Sequence, residues 1–305
     1  MTRRDSLLAA LVALVWGLNF LAVDVGLRDV PPLLFLAIRF VAVVGVAIWF
    51  VPRPAVSWRL LLTIGGLMSL GQFGFLYLAM AEGFPAGLAS LVLQAQVVFT
   101  IVIAVVALRE RPTQAQIAGV ALGMAGLVAV GLGRGGDVRL GVLGLMLLAA
   151  LCWASGNVVV RAARVPGGLG VTVWSALAVP IPAFLLSLVV DGPHGVWAGL
   201  GAFGWSAALS TAYTVVFASY VGYGLFNSLL ARNPASAVVP WILLVPVVGI
   251  VSAWIVLGER PAPAELGGGV LLLGGALIAN GVLRLRQPGG GAGRGAQPSG
   301  RPDSA

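Results

Sequence analysis

The sequence predicts an all-α integral membrane protein with ten transmembrane helices, which form two inverted five-helix repeats. Three observations lead to this fold class. Hydrophobic residues make up 59% of the 305 residues and charged residues only 9%, a composition typical of chains embedded in lipid. Residues 82–132 recur as residues 231–281 after a shift of 149 positions without a gap. The arginines are concentrated in alternate loops, which predicts a topology.

Ten apolar runs are each long enough to cross the hydrocarbon core of a bilayer, which takes about 20 residues. Short segments rich in arginine, proline and glycine separate them. The first run is too long for a signal peptide and lacks a small-residue cleavage site, so we expect it to be an uncleaved span. In chain order the runs are 6–27, 31–51, 58–80, 85–107, 113–132, 139–161, 168–190, 203–230, 234–256 and 262–284.

The internal duplication is clearest at Glu110-Arg111-Pro112, which aligns with Glu259-Arg260-Pro261. Positions 85–131 and 234–280 share 14 identities in 47. Because five crossings are an odd number, the second copy must lie upside down relative to the first. Inverted repeats of this kind are typical of secondary transporters, which bind substrate where the halves meet. We expect a first repeat at 1–135 and a second at 136–285.

The distribution of arginine predicts the orientation of the chain. If the N-terminus is cytoplasmic, 13 arginines fall in inside segments and 4 in outside segments. This bias places both termini in the cytoplasm. The net charge of +8 therefore reflects topology, and we predict no nucleic-acid partner. Residues 286–305 have a low-complexity, glycine-rich composition, which predicts a disordered cytoplasmic tail.

Four motifs occur in order along the chain: Trp16-Gly17-Leu18-Asn19-Phe20, Arg39-Phe40, the segment 85–96 and the repeated Glu-Arg-Pro. Together they resemble the motifs of the EamA family of the drug/metabolite transporter superfamily. The resemblance covers about residues 4–285 and is nearest to bacterial exporters of amino acids and metabolites. It implies a ten-span carrier that exports amino acids and related small amphipathic metabolites across the bacterial inner membrane by alternating access. It does not indicate which metabolite.

Polar and aromatic side chains inside the spans are the candidate substrate-binding residues. A polar side chain facing hydrocarbon costs free energy, so each needs a partner, a cavity or a ligand. The candidates are Trp16, Asn19, Arg39, Gln72, Tyr77, Ser90, Gln94, Trp153, Asn157, Tyr213, Tyr220, Tyr223 and Trp241.

The eighth run carries an aromatic stripe. Tyr213, Phe217, Tyr220, Tyr223 and Asn227 recur at helical spacing, which predicts a single face of an α-helix. One interpretation is a cavity wall that stacks on the substrate while its hydroxyls hold polar groups. The alternative is helix packing, with tyrosines at the membrane interface.

The fourth run contains two glutamines that an ideal helix would separate. Ser90 and Gln94 share a face, whereas Gln96 points about 200° away from Gln94 at ~100° per residue. We therefore expect only one glutamine, Gln94, to face a cavity, where its amide suits a zwitterionic amino acid. Interhelical hydrogen bonding is the alternative role of such an amide.

Two matched pairs occur in the first and sixth runs. Trp16 shares a face with Asn19, and Trp153 shares one with Asn157. Aromatic and amide groups on equivalent helices of two halves would bracket a ligand. The alternative is that each asparagine bonds across a helix interface. In the ninth run Pro240 precedes Trp241, and we expect the proline to interrupt the helix and expose a carbonyl.

Charged residues near or within the spans have competing interpretations. Arg39 would attract a substrate carboxylate, or would pair with Asp24. Glu110 and Glu259 would each cap the helix that follows, or alternatively form part of a gate.

The residues also restrict the class of protein. All ten acids lie in tails, loops or span ends, so no proton-carrying site is evident inside the membrane. No nucleophile–base pair or metal cluster is evident, so we predict neither an enzyme nor a cofactor or metal. The chain has a single cysteine, Cys152. We expect a monomer in the lipid bilayer that moves an amino acid or metabolite down its own gradient, or by exchange with a driving force that the sequence does not show. A lipid flippase or a proton-coupled drug efflux carrier of the same fold is the alternative.

Overall fold

The computed structural model describes residues 1–133, 140–165 and 168–282, and every element in that part is helical. Eight helices are long and apolar enough to cross a membrane, and two shorter apolar helices complete a set of ten. We number them spans 1 to 10. They are Arg3–Leu27, Pro32–Ala47, Trp58–Ala81, Ala86–Leu108, Gln114–Leu132, Leu140–Ala162, Leu169–Val190, Trp205–Arg232, Ala235–Ile242 with Val245–Leu257, and Pro263–Ala279.

A further helix, Gly192–Gly201, connects spans 7 and 8. The prediction of an all-helical membrane protein is confirmed, and the spans follow the apolar runs closely. The predicted repeat boundary at 135/136 and the predicted tail at 286–305 lie outside the described residues.

The duplication is visible in the irregularities of the helices. Span 3 contains a π-helical segment at Gly66–Gly71, and its mate, span 8, contains one at Tyr213–Gly222. Span 4 is broken at Leu93–Gln94, and its mate, span 9, is broken at Leu243–Leu244. Distortions of this kind depend on particular side chains, so their recurrence in both halves indicates common ancestry rather than chance.

Spans 5 and 10 begin with the same side-chain cap. The backbone N–H of Thr113 donates to Gln116 Oε1 at 2.9 Å, and the N–H of Ala262 donates to Glu265 Oε2 at 2.8 Å. Each bond satisfies a backbone donor that the first helical turn leaves without a partner. Both residues of the second pair lie 149 positions after those of the first.

Four glycines show that the two repeats are inverted. A Cβ on Gly119 would lie 2.5 Å from the Gly275 carbonyl oxygen, and one on Gly126 would lie 2.5 Å from that of Gly268. The repeat equates Gly119 with Gly268 and Gly126 with Gly275, so each glycine contacts the mate of the other. Spans 5 and 10 are therefore antiparallel about a pseudo-twofold axis, as inverted repeats require.

Among the remaining spans, span 1 and span 6 each pack with helices of the other repeat. Spans 3, 4 and 6 pack together as a first group, and spans 8, 9 and 1 pack together as a second group. Spans 2 and 7 pack against each other, as do spans 5 and 10. Each group thus takes one helix from the other repeat. The space between the two groups is the centre of the molecule.

The outer surface of the spans exposes large apolar side chains, with tryptophans at some span ends. Val106, Val189 and Val270 are more than 70% exposed, which in a bilayer is contact with lipid. Trp49 and Trp205 lie at span ends and are more than 80% exposed, as expected for side chains at the membrane–water interface.

Candidate functional site: a central cavity

A cavity of ≈ 630 Å³ lies between the two groups of spans. Its volume is within the range of small-molecule sites in proteins. At one end it reaches Gln116, Arg161 and Val165, which are partly or fully exposed, and we call this end the open face. Towards the other end its lining stops within the spans, at residues such as Arg39, Leu76 and Ser90, and includes none of the described residues that connect the spans there. The cavity is therefore accessible from one side of the molecule.

Nine of the thirteen predicted residues line this cavity, and they come from both repeats. They are Trp16, Asn19, Arg39, Gln72, Ser90, Gln94, Trp153, Asn157 and Tyr223. Four predicted residues do not line it. They are Tyr77, Tyr213, Tyr220 and Trp241.

The expectation of one aromatic face in span 8 was wrong. The segment Tyr213–Gly222 is a π-helix, in which i→i+5 bonds change the angular spacing of side chains. The hydroxyl of Tyr213 donates to the Val15 carbonyl at 2.9 Å, and that of Tyr220 donates to the Val43 carbonyl at 2.7 Å. Only Tyr223, with Asn227 one turn later, reaches the cavity.

The expectation that a single glutamine of span 4 faces the cavity was also wrong. The backbone N–H of Gln96 bonds to Leu93 O at 3.1 Å, an i→i+3 pattern that interrupts the α-helix. Rotation of 100° per residue does not hold across this break, so Gln94 and Gln96 both line the cavity. Asn157 Nδ2 in span 6 donates to Gln96 Oε1 at 3.1 Å.

Trp16 forms the aromatic wall of the cavity. Its ring centroid lies 5.1 Å from that of Tyr223 and 5.2 Å from that of Phe226. Its indole N–H donates to the Ala218 carbonyl at 3.0 Å. Because both the ring and the N–H are held, this wall is pre-organised for stacking with an apolar or aromatic group.

Trp241 lies behind this wall and not in the cavity. It packs against a small buried cluster that includes Ala9 and Leu229. Pro240 lies inside the helix Ala235–Ile242 and does not interrupt it as expected. The interruption of span 9 comes later, at Leu243–Leu244.

Arg39 is buried, with 1% of its surface exposed. It donates from Nη1 to the Tyr77 hydroxyl at 2.6 Å and from Nη2 to Ser219 Oγ at 3.3 Å. Its guanidinium carbon lies 4.4 Å from the ring centroid of Phe73, a cation–π contact. The expected pairing with Asp24 was wrong. The Asp24 carboxylate instead accepts from Arg28 Nη2, directly after span 1, at 2.9 Å. Tyr77 is thus a support for Arg39.

Two glutamates bind groups other than the helices they precede. Glu259 Oε1 accepts from the N–H of Ala86 and Oε2 accepts from the N–H of Gly87, each at 2.9 Å. Glu259 therefore caps span 4 rather than span 10. Its repeat mate Glu110 forms an ion pair with Arg161 at the open face. The prediction that each caps the following helix was wrong.

Several lining residues were not identified from the sequence. Hydroxyl groups dominate, and a hydroxyl inside a helix is commonly satisfied by its own backbone, so it gives no distinctive signal. Ser175, for example, donates to Thr172 O at 3.2 Å. The additional polar lining residues include Ser69, Gln96, Thr100, Gln116, Thr172, Ser175 and Asn280.

Comparisons with known proteins agree with this architecture. A profile of the EamA-like transporter family matches residues 5–132 and again residues 140–281. The chain is 40% identical over 294 residues to a "probable amino-acid metabolite efflux pump" of Salmonella typhimurium, covering 94% of this chain and 98% of that one. A protein of the same name from Escherichia coli is 41% identical over 293 residues, with the same coverage. A solved crystal structure with 21% identity has a TM-score of 0.65 over 95% of this chain and 100% of that chain.

Proposed function

The chain belongs to the EamA-like transporter family, and from this premise we propose that it exports amino acids and related small amphipathic metabolites by alternating access. Membership of a transporter family confirms the prediction of a carrier rather than an enzyme. The names of the two bacterial relatives, amino-acid metabolite efflux pumps at 40% and 41% identity, support this class of substrate.

The observation that carries the proposal is the central cavity. It combines amides, from Asn19, Gln72 and Gln94, with the aromatic wall of Trp16 and Tyr223. Amides offer both donors and acceptors to a polar head, and an aromatic wall offers an apolar surface to the rest of the molecule. Since the cavity lies between two groups of spans, tilting one group against the other would expose it to either side of the membrane.

We propose that both termini are cytoplasmic, so that the open face of the cavity is the cytoplasmic side. A substrate accumulating in the cytoplasm would then enter directly. Among the described residues, none that lines the cavity is an aspartate or glutamate. A carrier that couples export to protons needs a group that binds and releases them inside the membrane. This favours export driven by the substrate's own gradient.

Growth in toxic concentrations of amino acids tests the function. Over-expression is expected to confer resistance, and Gln94→Ala or Tyr223→Ala is expected to abolish it at unchanged protein levels. Trp205→Ala is the matched control, because Trp205 is 84% exposed at the outer surface. Resistance that survives both cavity substitutions would contradict the assignment of the site.

Purified protein in proteoliposomes tests the mechanism. We expect counterflow of radiolabelled amino acid that an imposed pH gradient changes less than twofold, and no movement of labelled lipid between leaflets. Strong stimulation by the pH gradient would favour a proton-coupled carrier. Lipid movement without amino-acid movement would favour a flippase and overturn the proposal.

A further inference from the structure

Five residues of the cavity wall each carry a buried polar atom that has no hydrogen-bond partner among the described residues; they are Asn19, Arg39, Gln72, Thr100 and Asn227. Three of them are also buried as whole residues, and their unpartnered atoms are Nε of Arg39, Oε1 of Gln72 and Oδ1 of Asn19. The three side chains are between 1% and 7% exposed. A buried polar atom without a partner is destabilising, so such atoms are rare unless something else binds them. All three residues line the same cavity.

The charge of Arg39 strengthens the case for a missing ligand. Its described hydrogen-bond partners, Tyr77 and Ser219, are neutral hydroxyls, and Phe73 offers only the face of a ring. Arginine cannot lose its proton at any accessible pH. A buried cation that is hydrogen-bonded only to neutral groups is costly, and a carboxylate is the group that compensates it best.

The amide oxygens of Gln72 and Asn19 are acceptors and favour a hydrogen-bond donor, whereas Arg39 favours an anionic acceptor. Gln72 directly precedes Phe73, whose ring lies against the Arg39 guanidinium, and Gln72 and Arg39 line the same cavity. An oxygen that accepts no hydrogen bond suits a donor such as an ammonium group. A cation site with amide oxygens in the same wall therefore matches a molecule that carries a carboxylate and an ammonium together.

We propose that Arg39, Gln72 and Asn19 form the binding site for the head group of a zwitterionic α-amino acid, an inference that rests on the proposed function. The substrate carboxylate accepts from Arg39 Nε, and the ammonium donates to the oxygens of Gln72 and Asn19. The side chain of the substrate lies against Trp16 and Tyr223. Molecules lacking either charge are excluded, which separates amino acids from uncharged drugs and from lipids.

Competition in proteoliposomes tests this site. Each of the twenty protein amino acids is first tested for counterflow, and the best substrate is then challenged with its own methyl ester and N-acetyl derivative. We expect each derivative to compete at least tenfold more weakly than the parent amino acid. Counterflow of none of the twenty would overturn the proposed export of amino acids. Counterflow with equal competition by the methyl ester would overturn only the head-group site.

Single-residue variants test which side chain binds the substrate carboxylate and which bind its ammonium group. Arg39→Gln is expected to remove the discrimination between acid and ester, and Arg39→Lys is expected to keep part of it. Gln72→Leu and Asn19→Leu are expected to reduce discrimination against the N-acetyl derivative and to leave that against the ester intact. Retention of the tenfold acid preference by Arg39→Gln would contradict the role of Arg39. If Arg39→Gln does not fold, the Gln72→Leu result still tests the site.

A second feature, the contact between Glu259 and span 4, carries an independent inference about gating. Glu259 accepts from the N–H groups of Ala86 and Gly87 at 2.9 Å, and this bond joins the second group of spans to the first. We call this end of the molecule, opposite the open face, the closed face. The mate of Glu259 is Glu110, which pairs with Arg161, a residue of its own group. Among the described residues, a glutamate thus bonds the two groups together at one face and not at the other.

We propose that Glu259 and Glu110 are alternating latches of the two faces. The repeat equates Ala86 and Gly87 with Ala235 and Ser236, the first residues of span 9. In the opposite conformation Glu259 releases span 4, while Glu110 leaves its arginine partner and accepts from the backbone N–H groups of span 9. The pseudo-twofold axis exchanges the two conformations, so each glutamate closes one face.

Cysteine labelling of purified protein tests the latches in a Cys152→Ser background. The reporters are Leu88→Cys, beside Glu259, and its repeat mate Ala237→Cys. We expect Glu259→Gln to raise maleimide labelling at position 88 severalfold and to lower it at 237. Adding Glu110→Gln is expected to restore both rates towards the parent. Asp29→Asn, an exposed carboxylate outside both latches, is expected to change neither.

Two results would overturn the proposal that Glu259 and Glu110 are alternating latches. One is a Glu259→Gln variant in which labelling at positions 88 and 237 changes in the same direction or not at all. The other is a double variant that labels like Glu259→Gln alone, since Glu110 would then have no part in the opposite conformation.

Discussion

The tyrosines of span 8 differ in what their hydroxyls bind. Tyr213 and Tyr220 donate to backbone carbonyls of spans 1 and 2, whereas Tyr223 lines the cavity. We expect Tyr213→Phe and Tyr220→Phe each to lower the free energy of unfolding by about 0.5–1.5 kcal/mol, the net contribution of one hydrogen bond. Transport is expected to be unchanged. Thermal unfolding and counterflow of purified protein measure both effects, and Tyr220→Phe with native stability but impaired counterflow would contradict the assignment.

Individual cavity residues were predictable to the extent that polarity stands out in an apolar span. Gln72 and Asn157 were identified this way, because an amide in the membrane interior needs a partner or a ligand. From residue type alone, a side chain that lines the cavity could not be distinguished from one that supports a lining residue. Tyr77 and Tyr223 are both deep tyrosines, yet one holds Arg39 and the other faces the cavity. That difference depends on helix rotation, which the sequence does not specify at this precision.

The interface of spans 5 and 10 depends on glycine at the points of closest approach. A Cβ on Gly268 would lie 2.6 Å from the Gly126 carbonyl oxygen, and backbone cannot move away cheaply. We expect Gly268→Ala to destabilise the protein by about 1–3 kcal/mol, the usual cost of overpacking. Gly267→Ala is the control, since its Cβ meets nothing within 4 Å. Equal unfolding temperatures for the two variants would contradict the close approach.

Helix irregularity explains where prediction of the elements failed. The apolar runs correctly located the spans, because length and hydropathy suffice for that. The break at Leu93–Gln94 and the π-helix Tyr213–Gly222 were not predicted, since both were read with the 3.6-residue period of a regular helix. Each irregularity changed which residues face the cavity. Both occur at the candidate site, where departures from local rules are expected.

The orientation of the whole molecule is a prediction from its arginines that labelling can check. In a Cys152→Ser background we introduce Thr2→Cys, before span 1, and Asp29→Cys, between spans 1 and 2; both positions are exposed. A membrane-impermeant maleimide is expected to label Asp29→Cys in intact spheroplasts and Thr2→Cys only after permeabilisation. The physical reason is that arginines are retained on the cytoplasmic side of the membrane, which places the N-terminus inside and the loop after span 1 outside. The reverse pattern would place the open face of the cavity outside and make export from that face untenable.

The architecture of the whole molecule was the most predictable feature, and the exchange of helices between repeats was the least. A shift of 149 residues and five crossings per copy are sufficient to imply inversion. Which spans share a group depends on tertiary packing between segments far apart in sequence. Each chain encloses a complete cavity, and we therefore propose that a monomer is sufficient for transport.

The exchange of spans 1 and 6 has a consequence for how the chain is made. Span 1 is synthesised before its packing partners, spans 8 and 9, which follow it by about 200 residues in the chain. Until then Trp16 and Asn19 lie in the bilayer without their final neighbours. Assembly of the second group therefore waits until spans 8 and 9 have been made, and a truncation before span 8 leaves span 1 without these packing partners.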